Sequence, residues 1–280
     1  MNATTIPRRS RRKRSRLVLR FACAAIYFFL MLPLLIVFPL SVSSAPYLQF
    51  PPPGLSWRWY QNYFGDPVWV EATVRSLGIG VATAILALLV AVPVAFSVVR
   101  GRYLGRMLID RLTIAPMIVP SIIFSVAIYG VFAKLKLIGA WYGIALAHTV
   151  LALPFVMIVV SAGLRGFDID QERAAIGLGA SRWQAIRRVT LPQIRPSLVS
   201  AAVLAFITSF DELVVAMFLA GSQMTLPKKM FDNIRMEIDP TIASVSVLQI
   251  LLIAAALVIS QRFGRRIGSN ATMEGPSSKA

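Results

Sequence analysis

Residues Leu164 to Pro196 read LRGFDIDQERAAIGLGASRWQAIRRVTLPQIRP, between the apolar runs Trp141 to Gly163 and Leu198 to Leu219. The stretch is too polar to lie in hydrocarbon and too patterned to be a flexible linker. Asp168 or Asp170 can cap a helix starting near Gln171, with Glu172 near its positive end, and Gly177 and Gly179 end it. Ser181 can cap a second short helix, Arg182 to Val189, stopped by Pro192. Ala174 and Ala175 permit close backbone approach, and Trp183, Ile186 and Val189 recur at helical spacing. The two helices predict a bracket that another protein can grasp; a basic amphipathic loop lying on the membrane is the competing reading.

Outward from this stretch the chain is mostly apolar. Of its 280 residues 57% are hydrophobic and only 15% charged, with a mean hydropathy of +0.70, which a water-soluble domain could not bury. Beside the two flanking runs, others extend over Phe21 to Ser44, Val74 to Val99, Leu112 to Phe132 and Thr241 to Ser260. Each approximates the ~20 residues that cross a bilayer, so an all-α polytopic fold with about six transmembrane helices is expected. The first run exceeds the ~7 to 15 residue core of a cleaved signal peptide and reads as a retained helix. Pro33, Pro39, Pro93, Pro116, Pro120 and Pro154 fall in or beside the spans and predict kinks.

The net charge of +17 does not point to nucleic acid, because the basic residues lie between the apolar runs. With the N-terminus inside, 22 of the 29 Lys and Arg fall on the cytoplasmic side, including Arg8, Arg9, Arg11, Arg12, Lys13, Arg14 and Arg16 of a basic arm. The positive-inside rule then places both ends in the cytoplasm. The expected organisation is a basic arm (residues 1–20), a first span (21–44) and an external loop (45–73). A five-helix core (74–260), carrying the cytoplasmic loop 164–196, and a tail (261–280) follow. The external loop holds Pro51, Pro52 and Pro53 among aromatics including Trp57, Trp59, Tyr60 and Trp69, which suits the outer headgroup level.

Two further features invite chemistry. Asp211 and Glu212 are the only charges between Pro196 and Pro227, and a carboxylate deep in a bilayer costs at least ~2.5 to 3.5 kcal/mol without water or a partner. One of them facing a passing cation is the functional reading; a bonded network between helices, or a helix break, is the structural one. Adjacent residues point about 100° apart on a helix, so they should not share one role. The one histidine, His148, reads as polar glue between helices, and the one cysteine, Cys23, as packing. There is no G-x-x-x-x-G-K-[ST] loop, no H-E-x-x-H and no G-x-S-x-G, so this chain is not expected to be an enzyme.

The polar stretch resembles the cytoplasmic loop of permease subunits of type I bacterial ABC importers. Their pattern is Glu-Ala-Ala, three residues, Gly, nine residues, then Ile-x-Leu-Pro. Ala174, Ala175 and Gly179 match, and Val189, Thr190, Leu191 and Pro192 follow after nine residues. Arg173 stands at the motif's Glu position, with Glu172 one residue earlier, and Val189 replaces Ile. The segments APMIVPSIIFSVA (Ala115 to Ala127), HTVLALPFV (His148 to Val156) and SFDELVVAMFLAG (Ser209 to Gly221) are similar to the spermidine/putrescine subgroup. The resemblance implies a type I permease fold in a bacterial inner membrane importing polyamines or related organic cations. It implies that Glu172, Arg173, Ala174, Ala175, Gly179, Trp183, Val189, Leu191 and Pro192 contact an ATPase. It further implies two ATPase subunits holding ATP and Mg, a second, non-identical permease and an external solute-binding protein, with no cofactor in this chain. An ion-coupled secondary transporter using Asp211 and Glu212 is the alternative.

Overall fold

The computed structural model describes the backbone of residues 8–236 and 239–271, and the side chains of 18–236 and 239–262. The side chains of the basic arm through Arg16 and of the tail from residue 263 lie outside the described residues. The described elements are helical: α1 (Arg8–Ser41), α2 (Arg58–Gly65), α3 (Pro67–Arg100), α4 (Arg106–Ile114), α5 (Ser121–Lys134), α6 (Trp141–Arg165), α7 (Ile169–Gly177), α8 (Arg182–Ala185), α9 (Leu191–Gln193), α10 (Arg195–Phe210), α11 (Val214–Leu219), α12 (Leu226–Met236) and α13 (Thr241–Ala271). Four are long and apolar enough to cross a membrane by themselves, and the number rises to at most six when each of two bent pairs is counted as one span.

Contacts divide the chain into two units, one of residues 1–65 and 237–249, the other of 66–236 and 250–280. In the first, the loop after α1 closes on itself, with Ser56 N–H donating to Val42 O at 2.8 Å and Ser44 N–H to Gly54 O at 3.0 Å. The Tyr60 hydroxyl donates to Ser41 Oγ at 2.9 Å, and Asn62 Nδ2 to Thr241 Oγ1 at 2.8 Å. These bonds tie α1, α2 and the start of α13 together. The apolar window of α1 is exposed, and so is Cys23.

The second unit is built on α3, α6 and α10. Ala87, Ala91 and Ala95 recur every fourth residue along α3 and are fully buried, packing with Ala152, Val156 and Val160 of α6 and Ala201 and Ala205 of α10. Small side chains let membrane helices approach closely, where dispersion and interhelical hydrogen bonds act. The closeness shows at Gly163, where an added Cβ would clash with the Ser197 side chain. A second cluster gathers Ile79, Phe132, Ile144, Val215 and Leu219.

Three expected boundaries change. α3 begins at Pro67 rather than Val74, because Asp66 accepts the Val68 N–H at 2.9 Å as N-cap and Pro67 opens the helix. The segment 45–73 is therefore not all loop, since α2 also lies within it and buries Trp59 and Tyr63. The span expected at Leu112 to Phe132 is two helices, Arg106–Met117 and Ser121–Lys134, bent by 103°. Pro120 lacks an N–H and holds its predecessor out of the helical region, which forces the break. The run Leu198 to Leu219 also divides, α10 stopping at Phe210 and α11 starting at Val214.

Candidate coupling site and the helix break at Asp211

After α6 ends at Arg165, Asp168 caps α7, its Oδ1 accepting the Asp170 N–H at 3.0 Å. The far end of α7 closes with two bonds, Ala180 N–H to Ala175 O (3.1 Å) and Gly179 N–H to Ile176 O (2.9 Å). This Schellman arrangement needs a left-handed residue, and Gly179 supplies it at φ +95°. Ser181 and Gln184 then bond each other's backbone N–H in a capping box, at 3.3 and 2.9 Å, and start α8.

The second helix does not stop before Pro192 as expected. Residues Ile186–Thr190 widen into a π turn, with Leu191 N–H reaching Ile186 O, and α9 follows. The wider turn accommodates a residue with no N–H and relieves the clash of its ring with the preceding turn.

The named loop residues separate into two sets. Glu172 is buried, its carboxylate accepting from Arg100 Nη1 at the end of α3 and from the Thr190 hydroxyl in the π turn. The Arg100 guanidinium also lies 4.9 Å from the Phe96 ring centroid and 5.4 Å from that of Phe167. Gln193 Nε2 donates to Gln171 Oε1, a second tie between the two helices of the bracket. Leu191 is half-buried against the membrane core, Val189 is half-buried and Pro192 exposed.

The second set is exposed and includes large apolar side chains. Leu178 is 90% exposed and Trp183 66%, with Ile176 and Ala174 beside them in sequence and also exposed. Ala175 is half-buried and Gly179 exposed. Arg173, at the motif's Glu position, makes an exposed pair with Asp170 at 2.8 Å, the kind of contact worth at most about 1 kcal/mol. Sequence reasoning passed over Leu178, although an apolar residue between two glycines in a polar loop was a usable signal. It had no local signal for Arg100 or Thr190 as partners of Glu172.

At the other site, α10 ends on Asp211, whose N–H bonds Ile207 O at 3.1 Å. Asp211 is exposed, and Glu212 is half-buried with its Oε1 accepting the Val215 N–H at 3.0 Å. The carboxylates thus sit at a helix break, and Glu212 satisfies a backbone donor that the break releases. Beside it runs a buried polar chain. His148 Nδ1 lies 2.8 Å from Ser209 Oγ, which donates to Thr83 Oγ1 at 3.2 Å, so α6, α10 and α3 are joined as expected of polar glue. Among the described residues no group of three or more His, Cys, Asp or Glu could hold a metal ion.

Apolar spans, with bent helix pairs among them, carrying a polar bracket tied to the end of α3 by a buried ion pair, fit a membrane transport subunit. Residues 84–269 match the family described as the binding-protein-dependent transport system inner membrane component, and the chain belongs to that family. It is 30% identical to the spermidine/putrescine transport system permease protein PotC of Haemophilus influenzae over 243 residues, 86% of this chain and 94% of that protein. It is 32% identical to the putrescine transport system permease protein PotI of Escherichia coli K12 over 203 residues, 70% of this chain and 72% of that protein. Its fold superposes with a TM-score of 0.71 on a bacterial ABC transporter involved in the import of the acidic polysaccharide alginate, at 18% identity and covering 93% of this chain and 99% of that one. Membership in a binding-protein-dependent family gives the chain a transmembrane permease role and displaces the ion-coupled alternative.

Proposed function

We propose that the chain is one of two permease subunits of an ATP-driven importer of polyamines, with α7 to α9 as the docking element for its ATPase. The observation carrying this reading is the exposure of Ile176, Leu178 and Trp183 on a loop whose Glu172 is buried against Arg100. An exposed apolar patch rimmed by charge marks a protein interface, and large side chains such as Trp183 are the usual anchors. The cytoplasmic excess of Lys and Arg supports both termini, and hence this loop, lying on the ATPase side. The two ATPase subunits would hold ATP and Mg, and this chain none; a second permease of different sequence and an external binding protein complete the system.

The two polyamine permeases among its relatives support the cargo assignment. The fold by itself does not choose the cargo, since the alginate transporter of the same fold handles an acidic polysaccharide. For a polycation we assign Asp211, the exposed carboxylate at the break, to the path, and Glu212 to capping α11. The test is to express the chain with its genomic partner subunits, purify the complex and reconstitute it in proteoliposomes. ATP-dependent uptake of labelled spermidine, competed by putrescine and not by a neutral sugar, is expected. Uptake without an ATPase subunit would overturn the reading. So would reporter fusions that place Trp183 on the same side as Trp59.

A further inference from the structure

Arg100 stands where three elements meet. It is the last residue of α3, the helix whose alanine stripe forms the centre of the membrane core. Its guanidinium binds a carboxylate that lies 72 residues away on α7, and that carboxylate also receives the Thr190 hydroxyl from the π turn between α8 and α9. Phe96 from α3 and Phe167 from the lead into α7 hold the guanidinium at 4.9 and 5.4 Å.

We propose that Arg100 is a positioning residue that clamps the whole bracket to the inner end of α3 through Glu172, so that displacement of α7 to α9 by an ATPase moves α3. The inference rests on the coupling reading above and adds the route by which motion leaves the loop. Several features make the joint stiff. A planar guanidinium presents its donors in a fixed fork, unlike the flexible ammonium of lysine. The Arg100 and Glu172 side chains keep only 20% and 11% of their exposure, so separating them strands a charge in a poorly solvated place. Glu172 sits in the first turn of α7, where the helix N-terminus favours its charge. The sequence motif directs attention to the outward residues, whereas this joint faces the other way.

The experiment reads motion of α3 directly and needs no cargo. In the co-purified complex, with Cys23→Ser as background, Ile85→Cys places a thiol on an exposed position of α3. Its rate of modification is measured without nucleotide and with ATP and vanadate. In the parent the two rates should differ by at least about threefold, and in Arg100→Gln or Glu172→Gln the difference should vanish while the ATPase still co-purifies. Thr190→Val, which removes one donor, should reduce it about twofold, and the charge-swapped Arg100→Glu with Glu172→Arg should recover it. An undiminished difference in both single variants overturns the clamp, as does a parent with no difference. Should the single variants fail to assemble, the swap decides, and failure to recover the nucleotide response counts against the clamp. A parent chain that purifies without an ATPase refutes the coupling reading itself, which is distinct from an assembled complex whose α3 ignores the clamp.

Discussion

In the bracket of α7 to α9 a glutamate, Glu172, is buried against Arg100 and Thr190, whereas at the break between α10 and α11 another, Glu212, is half-buried and accepts one backbone N–H. The same side chain does two different jobs. Glu172 joins segments far apart in sequence and neutralises a charge that has left water. Glu212 solves a problem three residues long, a donor released where a helix restarts. Removing one member of a buried ion pair costs about 3 to 5 kcal/mol, because the other charge stays behind unpaired. Losing a helix cap costs about 0.5 to 2 kcal/mol. The loop should therefore be the more sensitive of the two regions.

The largest effect is expected at the joint. Glu172→Ala should destabilise the bracket by about 3 to 5 kcal/mol, seen as rapid proteolysis within 164–196 while the spans stay intact. Equal resistance in variant and parent would remove the distinction drawn between the two glutamates.

Next comes the outward face. Leu178→Asp replaces an exposed apolar side chain with a charge and should weaken ATPase association by about 2 to 4 kcal/mol. Pull-down from detergent would then recover little or no ATPase with the permease. Retention at the parent's ratio would mean that the patch faces lipid.

At Gly179 the space around a new Cβ is open, so the penalty of Gly179→Ala comes from its positive φ alone and should be about 1 to 2 kcal/mol. A lowered apparent Tm of the purified complex would report it, and an unchanged Tm would show that the turn between α7 and α8 relaxes freely.

The smallest structural effects are expected at the break, and there the two carboxylates should part company. Asp211→Asn should lower spermidine uptake per assembled complex by about tenfold if a cation is compensated there by charge. Glu212→Gln keeps an acceptor for Val215 N–H and should leave uptake per complex near the parent's, with a stability loss below about 1 kcal/mol. Reversed outcomes would exchange the roles, and normal uptake in both would assign cargo selection to another subunit.

Much of this was legible along the chain because its causes are local. The apolar runs report the cost of placing polar groups in hydrocarbon. The bracket was readable because a cap, a glycine turn and a capping box act within about five residues, as Asp168, Gly179 and Ser181 do. What only the tertiary structure decided involves partners far away in sequence or a choice among breaks. Glu172, beside the motif, turns inward because Arg100 and Thr190 lie behind it, and no neighbouring residue announces a partner 72 positions away. Likewise the apolar run around Asp211 and Glu212 looks continuous, and Pro192 looks like a stop. The first breaks and the second does not, because packing against α3 and α6 and a widened π turn decide where backbone donors find their acceptors.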